Sequence, residues 1–333
     1  MAVRASTGYG RIDEKVLGLR AVTPLGELTA RPLPASAAGP DLRQLLVGSE
    51  GTLGVITEAT LRVHPVPETR RYEAFALPDF AAGCAALREL EQAGAAPDIA
   101  RLSDADETRL SLALAGEGNG ARLLRGYLRA RGRGDGCLVV AGFEGAERAV
   151  RRRRSHVAGA LRRRGAVALG TAPGRKWAAG RFHGPYLRDV LMHRRALVDT
   201  LETATTWDRL PALYAAVRSA LHGALSRGFV MCHVSHVYAT GASLYFTFAA
   251  AQERGRELAQ WHRAKAAAGD AILAAGGTIT HHHAVGRDHA PWLEGEVGPL
   301  GVSVLRAAKD ALDPAGILNP GKLLDGAPLP GSP

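Results

Sequence analysis

Apolar residues along this chain switch between two spacings, and the switch points mark its elements. Val16, Leu17, Leu19 and Val22 run into Thr23-Pro24-Leu25-Gly26, and the chain returns through Glu27 to Ala30, the pattern of a β-hairpin over 15–31. Pro40 and Asp41 suit the first turn of a short helix over 40–47. A glycine-rich run follows at 48–58. It leads into a strand over 55–63, with Val55, Ala59, Leu61 and Val63 on one face. His64-Pro65-Val66-Pro67-Glu68 breaks the pattern, which places a domain boundary near residue 70.

Beyond the boundary the spacings mix. Phe80, Cys84, Leu87 and Leu90 predict a helix over 78–94, and 137–143 reads as a strand. Thr206 is positioned to cap a helix carrying Leu210, Leu213, Val217 and Leu221, with Pro211 in its first turn. Residues 228–250 hold two apolar strands joined around Tyr238-Ala239-Thr240-Gly241-Ala242. Leu258, Trp261, Lys265 and Ile272 form a helix stripe stopped by Gly276-Gly277, and a last helix ends at Asp313-Pro314. The tail 325–333 reads as loose. No internal repeat is visible. The fold class is α+β: a small region over 1–70, then a larger domain over 71–324 with an antiparallel sheet and helices.

A length of 333 residues with 46% hydrophobic content and a mean hydropathy of -0.05 is enough for a sizeable core and about two domains. No apolar run nears the roughly 18 residues of a membrane helix, and the N-terminus has no apolar signal-like core. Cys84, Cys137 and Cys232 are odd in number and widely spaced, so neither a disulfide framework nor a C-x-x-C pair is expected. Together these point to a reduced, cytoplasmic protein. The net charge of +10 and the runs 151–154 and 162–164 invite a nucleic-acid reading. Lysine occupies only positions 15, 176, 265, 309 and 322, which with abundant alanine and glycine points to codon bias. The arginines flank a helix-like stretch poor in aromatics, so a solvated basic face is expected and no nucleic-acid partner.

Four features carry candidate chemistry. The run 48–58 puts three glycines within seven residues, a backbone bare enough for close approach to a bulky ligand or for an ordinary tight turn. His281-His282-His283 follows Thr278-Ile279-Thr280; in a strand, His281 and His283 would share one face and His282 the other. No H-E-x-x-H or C-x-x-C spacing accompanies them, so hydrogen bonding or proton shuttling is expected rather than a metal. In 243–248, Leu244, Phe246 and Phe248 form one apolar face, leaving Tyr245 and Thr247 on the other. A two-residue turn at Thr240-Gly241 sets Tyr245 opposite His236, and a three-residue turn sets it opposite Ser235. Tyr245 is then either a core tyrosine with a satisfied hydroxyl or a site residue. Arg101 and Arg188 sit in mostly apolar strings, where an arginine can fork onto a carboxylate or phosphate or simply face solvent.

Several strings resemble one family as a set. They are 9–14 (YGRIDE), 48–58 (GSEGTLGVITE), 186–189 (YLRD), 202–209 (ETATTWDR), 241–248 (GASLYFTF), 281–286 (HHHAVG) and 313–320 (DPAGILNP). They resemble the vanillyl-alcohol-oxidase-like, FAD-linked oxidase superfamily. Within it they are similar to the alkyldihydroxyacetonephosphate synthases and their bacterial FAD-binding oxidoreductase relatives. The resemblance implies FAD as cofactor, contacted largely through backbone by Glu50, Gly51, Thr52, Leu53, Gly54, Val55 and Ile56, and by Arg4, Ala5 and Ser6. It implies Tyr245 as general acid/base, with His281, His282, His283 and Arg101 in the active site and Arg188 on the anionic head of a small substrate. The chemistry implied is at flavin N5: either group exchange on a glycerone-phosphate-type head without net redox, or oxidation of a hydroxy acid.

Flavin domains of this superfamily open with a βα subdomain whose glycine-rich loop cradles the pyrophosphate. Residues 1–70 resemble only the second subdomain, so the chain is expected to lack that loop and to hold far less than one flavin when purified. A separate N-terminal FAD subdomain and a homodimer are the macromolecular partners this reading admits. The rival reading is a non-catalytic truncated remnant that folds and binds a partner.

Overall fold

The computed structural model of this protein describes residues 6–114, 116, 118–182 and 184–324. Two single-turn helices, α1 (Ser6–Tyr9) and α2 (Ile12–Lys15), precede β1 (Val16–Thr23). The Thr23 hydroxyl donates to the Gly26 carbonyl (3.0 Å) and accepts from the Leu25 N–H (3.2 Å), so β1 folds back on β2 (Gly26–Ala30) as expected. Asp41 takes the N-cap of α3 (Leu42–Leu46), accepting from the Arg43 N–H at 2.9 Å; the helix therefore starts after the expected Pro40. β3 (Val55–Leu61) completes an antiparallel sheet in the order β2-β1-β3. Its expected apolar face is not buried: every residue of β3 is exposed, Val55 at 57%. The core of this sheet forms instead on Val16, Leu19, Ala21, Leu46 and Leu53, and β3 is left as an edge.

The larger part continues as β4 (Thr69–Leu77), α4 (Phe80–Gln92), β5 (Ile99–Ser103), α5 (Ala105–Leu114), α6 (Asn119–Ala130), β6 (Cys137–Gly145), α7 (Glu147–Arg163) and β7 (Val167–Gly170). After α8 (Thr171–Gly180) and α9 (Gly184–His193) come β8 (Ala196–Thr206), α10 (Leu210–Ala224), β9 (Phe229–Val237), β10 (Gly241–Ala251), α11 (Glu257–Ala274) and α12 (Ala290–Leu312). Seven strands form one antiparallel sheet in the order β7-β4-β6-β5-β9-β10-β8. That order contains a repeat the sequence does not display. β4-α4-β5-β6-α7-β7, with α5 and α6 inserted between β5 and β6, and β8-α10-β9-β10-α11 trace the same path, and the two copies join edge to edge through β5 and β9. In the first copy the second helix leads to a strand, β7, paired with β4. In the second copy α11 leads instead to the histidine segment, which meets β8 through Thr278 N–H to the Ala204 carbonyl (3.0 Å).

α4, α7, α10 and α11 cover one face of this sheet. Leu87, Leu90, Val157, Leu161, Leu213, Val217 and Ile272 pack there against Phe75, Phe143, Leu244, Phe246 and Phe248. Because side chains alternate along a strand, Arg101, Glu202, His233 and Tyr245 fall on the opposite face. Thr206 is not the cap of α10; it ends β8, and α10 starts after Arg209. The run 151–154 is only partly a solvated face. Arg153 forks onto Asp98 (2.8 and 2.6 Å) and Arg154 pairs with Glu73. No helix among the described residues is long and apolar enough to cross a membrane.

Candidate active site

The β9–β10 connection decides what faces Tyr245. Tyr238 and Gly241 exchange backbone hydrogen bonds, so the two-residue turn is Ala239-Thr240, one position earlier than expected. A bulge then shifts the register between Ala242 and Leu244; the Ser243 hydroxyl accepts from the His236 N–H at 3.0 Å. Tyr245 consequently pairs with His233 on one side and Glu202 on the other, rather than with His236 or Ser235. Its ring stacks on His233 (centroids 4.9 Å) and meets His283 edge-on at 5.3 Å, with His282 at 6.0 Å.

Arg101, next along the face, reaches His233 Nδ1 at 3.1 Å and the Glu107 carboxylate at 2.7 Å; His233 Nδ1 is itself 3.0 Å from Glu107. Asp104 sets this up. Its carboxylate accepts from the Glu107 N–H (2.8 Å) at the start of α5, and from Tyr214 and Arg218 at 2.9 Å each. Burial raises the Glu107 carboxyl, but the Arg101 charge and His233 more than offset this and hold it well below the usual carboxylate range. Burial pushes Asp104 up to about 6 against its hydrogen bonds.

The three histidines do not lie in a strand. The segment bends because one buried carboxylate gathers its backbone. Glu202, 1% exposed, accepts at Oε1 from the N–H groups of His281, His282 and His283 (2.7, 2.7 and 2.9 Å) and from Thr280 Oγ1 (2.8 Å). Three successive amides on one oxygen replace the ladder a fourth strand would need. Burial raises the Glu202 carboxyl; the His282 side chain and these amides outweigh that and keep it well below the usual range. The ring of His281 meets Tyr238, hydroxyl to Nε2, at 2.7 Å. Burial lowers His281 to about 4 and raises Tyr238 to about 12. A cleft of about 950 Å³ opens beside His281 and Tyr238, walled by Arg11, Thr206 and Arg209; Tyr245 is not among its lining residues.

The glycine-rich segment is tied to this loop. The Glu50 side chain accepts from Val285 N–H (2.7 Å) and Gly286 N–H (2.8 Å), and Asn319 donates to the Glu50 carbonyl. Lys309 Nζ, on α12, donates to the carbonyls of Thr52 and Leu318 at 2.8 Å each. Gly48 and Gly51 adopt positive φ (89° and 75°), which a side chain would strain.

The model of the FAD-linked oxidases, C-terminal domain, matches residues 66–323. The chain belongs to the FAD-linked oxidase family. It is 35% identical to an alkyldihydroxyacetonephosphate synthase of Dictyostelium discoideum over 96% of this chain and 54% of that protein. It is 33% identical to the synthase of the same name from Trypanosoma brucei brucei, over 97% and 54%. A solved alkyldihydroxyacetonephosphate synthase superposes with a TM-score of 0.76 at 32% identity, covering 95% of this chain and 56% of that one. A 4-ethylphenol oxidase from Gulosibacter chungangensis shares the fold at 15% identity. The chain thus spans about half the length of the synthases it matches, and FAD is the cofactor of its family.

Within this FAD-linked oxidase fold, Arg101 reaches Tyr245 through His233, and His282 and His283 lie beside Tyr245, with His281 next to His282. Arg188 stands apart: its Nε donates to the Val198 carbonyl (3.2 Å), farther along β8 from Glu202. Arg4 and Ala5 lie outside the described residues, and Ser6 opens α1. The site also contains residues that had no site role in the sequence reading: Glu107, Glu202, His233, His236 and Tyr238. Glu202 carried a signal, a carboxylate between Leu201 and Thr203 in an apolar strand. His233 carried only its parity with Tyr245, which depends on the bulge.

Proposed function

We propose that this chain supplies the substrate side of a flavin enzyme's active site, with Tyr245 moving the proton and a small anionic hydroxy acid or glycerone-phosphate-type molecule as substrate. Residues 1–70 are read as part of a flavin-binding unit and 71–324 as the substrate domain. The observation that carries the reading is the phenol of Tyr245. It lies on the sheet face opposite the main core, among His233, His282 and His283, and its hydrogen bond to Thr200 Oγ1 is long at 3.2 Å. O–H···O bonds are commonest near 2.7–2.8 Å, so Thr200 holds this hydroxyl only weakly.

The residues present fit a flat apolar ring beside that phenol. Gly51 and Gly54 carry no side chain, Val55 and Ile56 are exposed and apolar, and Glu50 joins their segment to the histidine loop. These residues would hold the ring of FAD, which when bound supplies a redox-active, electrophilic centre. Arg101 would orient the substrate's anionic group with the donors not spent on Glu107, since a guanidinium has five. Arg188 is read as a second anion contact at the outer end of β8. His282 and His283, beside the Tyr245 ring, would shield the reacting atoms from water, and His281 would line the neighbouring cleft.

The test is Tyr245→Phe in a preparation loaded with FAD. General acid–base groups contribute roughly 10²–10⁴-fold, so turnover should fall by about 100-fold or more. Flavin fluorescence quenching and melting temperature should stay near wild type, because one long hydroxyl bond is worth only about 0.5–1.5 kcal/mol. Turnover within a few-fold of wild type would make Tyr245 a packing residue and end this reading.

A further inference from the structure

A lysine stands in the apolar stripe of α11, where that helix meets the edge of the large sheet. Lys265 is 8% exposed, yet no carboxylate among the described residues pairs with it. Lysine is almost never buried without a partner, because taking an ammonium out of water is costly. Its Nζ makes one long hydrogen bond, 3.4 Å to the Thr200 carbonyl, and stands 5.8 Å from the centre of the Trp261 ring. Asp199, next to Thr200 in the chain, is turned to the core face with Phe248 and is bonded there to Trp261 Nε1 at 2.6 Å.

The strand fixes where that ammonium lies. β8 is an edge strand of the sheet, paired only with β10. Carbonyls alternate in direction along a strand, so those two residues apart point the same way. The Ala204 carbonyl points outward, since it accepts from the Thr278 N–H at 3.0 Å. The carbonyls of Thr200 and Val198 therefore point outward as well. Lys265 takes the first of these, and Arg188 Nε takes the second at 3.2 Å. Two cations, one from α11 and one from α9, thus occupy neighbouring places on one edge, with their carbonyl anchors about 7 Å apart.

We propose that Lys265 joins Arg188 in gripping one oxyanion at the edge of β8, which makes Lys265 a substrate-binding residue. The terminal nitrogens of Arg188 and two of the three ammonium donors of Lys265 have no hydrogen-bond partner among the described residues. Charge-assisted bonds of about 2.8 Å to different oxygens of one phosphate or carboxylate can span the gap between the two anchors. Arg188 is exposed, which opens the pair to solvent. Thr200 links the pair to the phenol: its carbonyl faces Lys265, and its Oγ1 accepts from the Tyr245 hydroxyl at 3.2 Å. Burial lowers His283 and His289 against the pull of Glu202, and the Lys265 charge lowers both further, so these rings are neutral and add no competing cation. That the anion belongs to the substrate rests on the function proposed above; the grip itself needs no flavin.

The experiment uses the full chain, dialysed free of phosphate and without added flavin. It is titrated with inorganic phosphate and with acetate by calorimetry, and its melting temperature is read with and without each. One saturable anion per chain is expected. Lys265→Met should weaken binding by about 10- to 100-fold, the worth of one hydrogen bond to a charged group. Without anion the same variant should melt above wild type, because it removes an unpaired buried charge and keeps the side chain's length and bulk. A lysine that only braced β8 would do the reverse, with a lower melting temperature and intact anion binding. Lys265→Gln keeps a donor for the Thr200 carbonyl and decides the binding question if Lys265→Met does not fold. Arg188→Gln should weaken binding by a similar factor, and Arg152→Gln, on the exposed side of α7, should change nothing. Phosphate held more tightly than acetate would assign the grip to a phosphate-bearing substrate, and the opposite order to a carboxylate; both support the pair. Absence of a saturable anion on the wild-type chain would overturn the proposal, as would binding within twofold of wild type in the Lys265 variants. Neither result touches the Tyr245 test, which reads turnover, and failure of that test would leave this titration standing.

Discussion

At the scale of single residues, two buried carboxylates with opposite shifts govern how this site is held. Glu107 stays ionised because Arg101 and His233 face it, while burial raises Asp104 to about 6. Their contributions to stability run in opposite directions with pH. Glu107, depressed in the fold, contributes fully above its unfolded value near 4.3 and loses that contribution as pH falls through its folded value. Asp104, raised in the fold, contributes fully below its unfolded value near 3.9 and loses that contribution as pH rises through about 6. Urea melts should therefore show part of the wild-type stability falling away between about pH 4 and 6, and Asp104→Asn should flatten that slope. An unchanged slope in the variant would mean that Arg218 and Tyr214 hold Asp104 at its ordinary value. Removing Glu107 altogether strands Arg101 in a site where its side chain is 17% exposed. Glu107→Ala should cost about 3 kcal/mol, toward the lower end for breaking a buried pair.

Among the elements, α8 packs on the sheet face that carries Arg101 and Tyr245. It approaches β4 closely at Gly174, where a Cβ would lie 2.9 Å from the Glu73 nitrogen and the Tyr72 carbonyl carbon. Backbone cannot yield as a side-chain tip can, so Gly174→Val should push the helix off the sheet and cost roughly 1–3 kcal/mol. The helix carries Trp177, whose ring lies 6.0 Å from the Arg101 guanidinium and 6.4 Å from the Tyr72 ring. The displacement should therefore appear as a change in tryptophan fluorescence as well as in melting temperature. A variant that melts like wild type with the same emission would show that α8 has room to spare. The histidine segment teaches the complementary lesson. Its strand-like pattern was legible, and one ladder-type bond from Thr278 does form, but a single carboxylate on β8 gathers the next amides and ends the strand.

For the molecule as a whole, the segment expected to meet FAD is fixed from the far end of the chain. Glu50 is bonded to Val285 and Gly286, Lys309 to Thr52, and Asn319 to Glu50. Hydrogen bonds to charged groups contribute about 1.5–3 kcal/mol each. Glu50→Ala removes two at once. Its expected signature is local: amide hydrogen exchange at Val285 and Gly286 should accelerate by about 100-fold or more, while β9 and β10 keep their protection. Uniform loss of protection across the seven-stranded sheet would instead mean that the small sheet and the large one unfold as one unit.

What the sequence settles by itself is local or cumulative. The hairpin at β1 and β2 follows from the turn at Thr23 to Gly26. The face of β10 that buries Leu244, Phe246 and Phe248 follows from strict alternation, and Tyr245 is thereby turned the other way. The family follows from several short strings in order, each of which keeps its local meaning. What only the tertiary structure decides is whatever depends on an offset between distant segments. The earlier position of the Ala239-Thr240 turn and one bulge at Ser243 together change the partner of Tyr245 from His236 or Ser235 to His233. The edge position of β3 leaves its apolar residues exposed, though their spacing alone promised burial. The two-fold repeat of the large sheet is invisible in sequence because packing a face asks only for apolar side chains of suitable volume, not for the same ones twice. Glu202 is the sharpest case: a carboxylate is ordinarily a surface residue, and only the arrival of three backbone amides from nearly eighty residues away makes its burial tolerable.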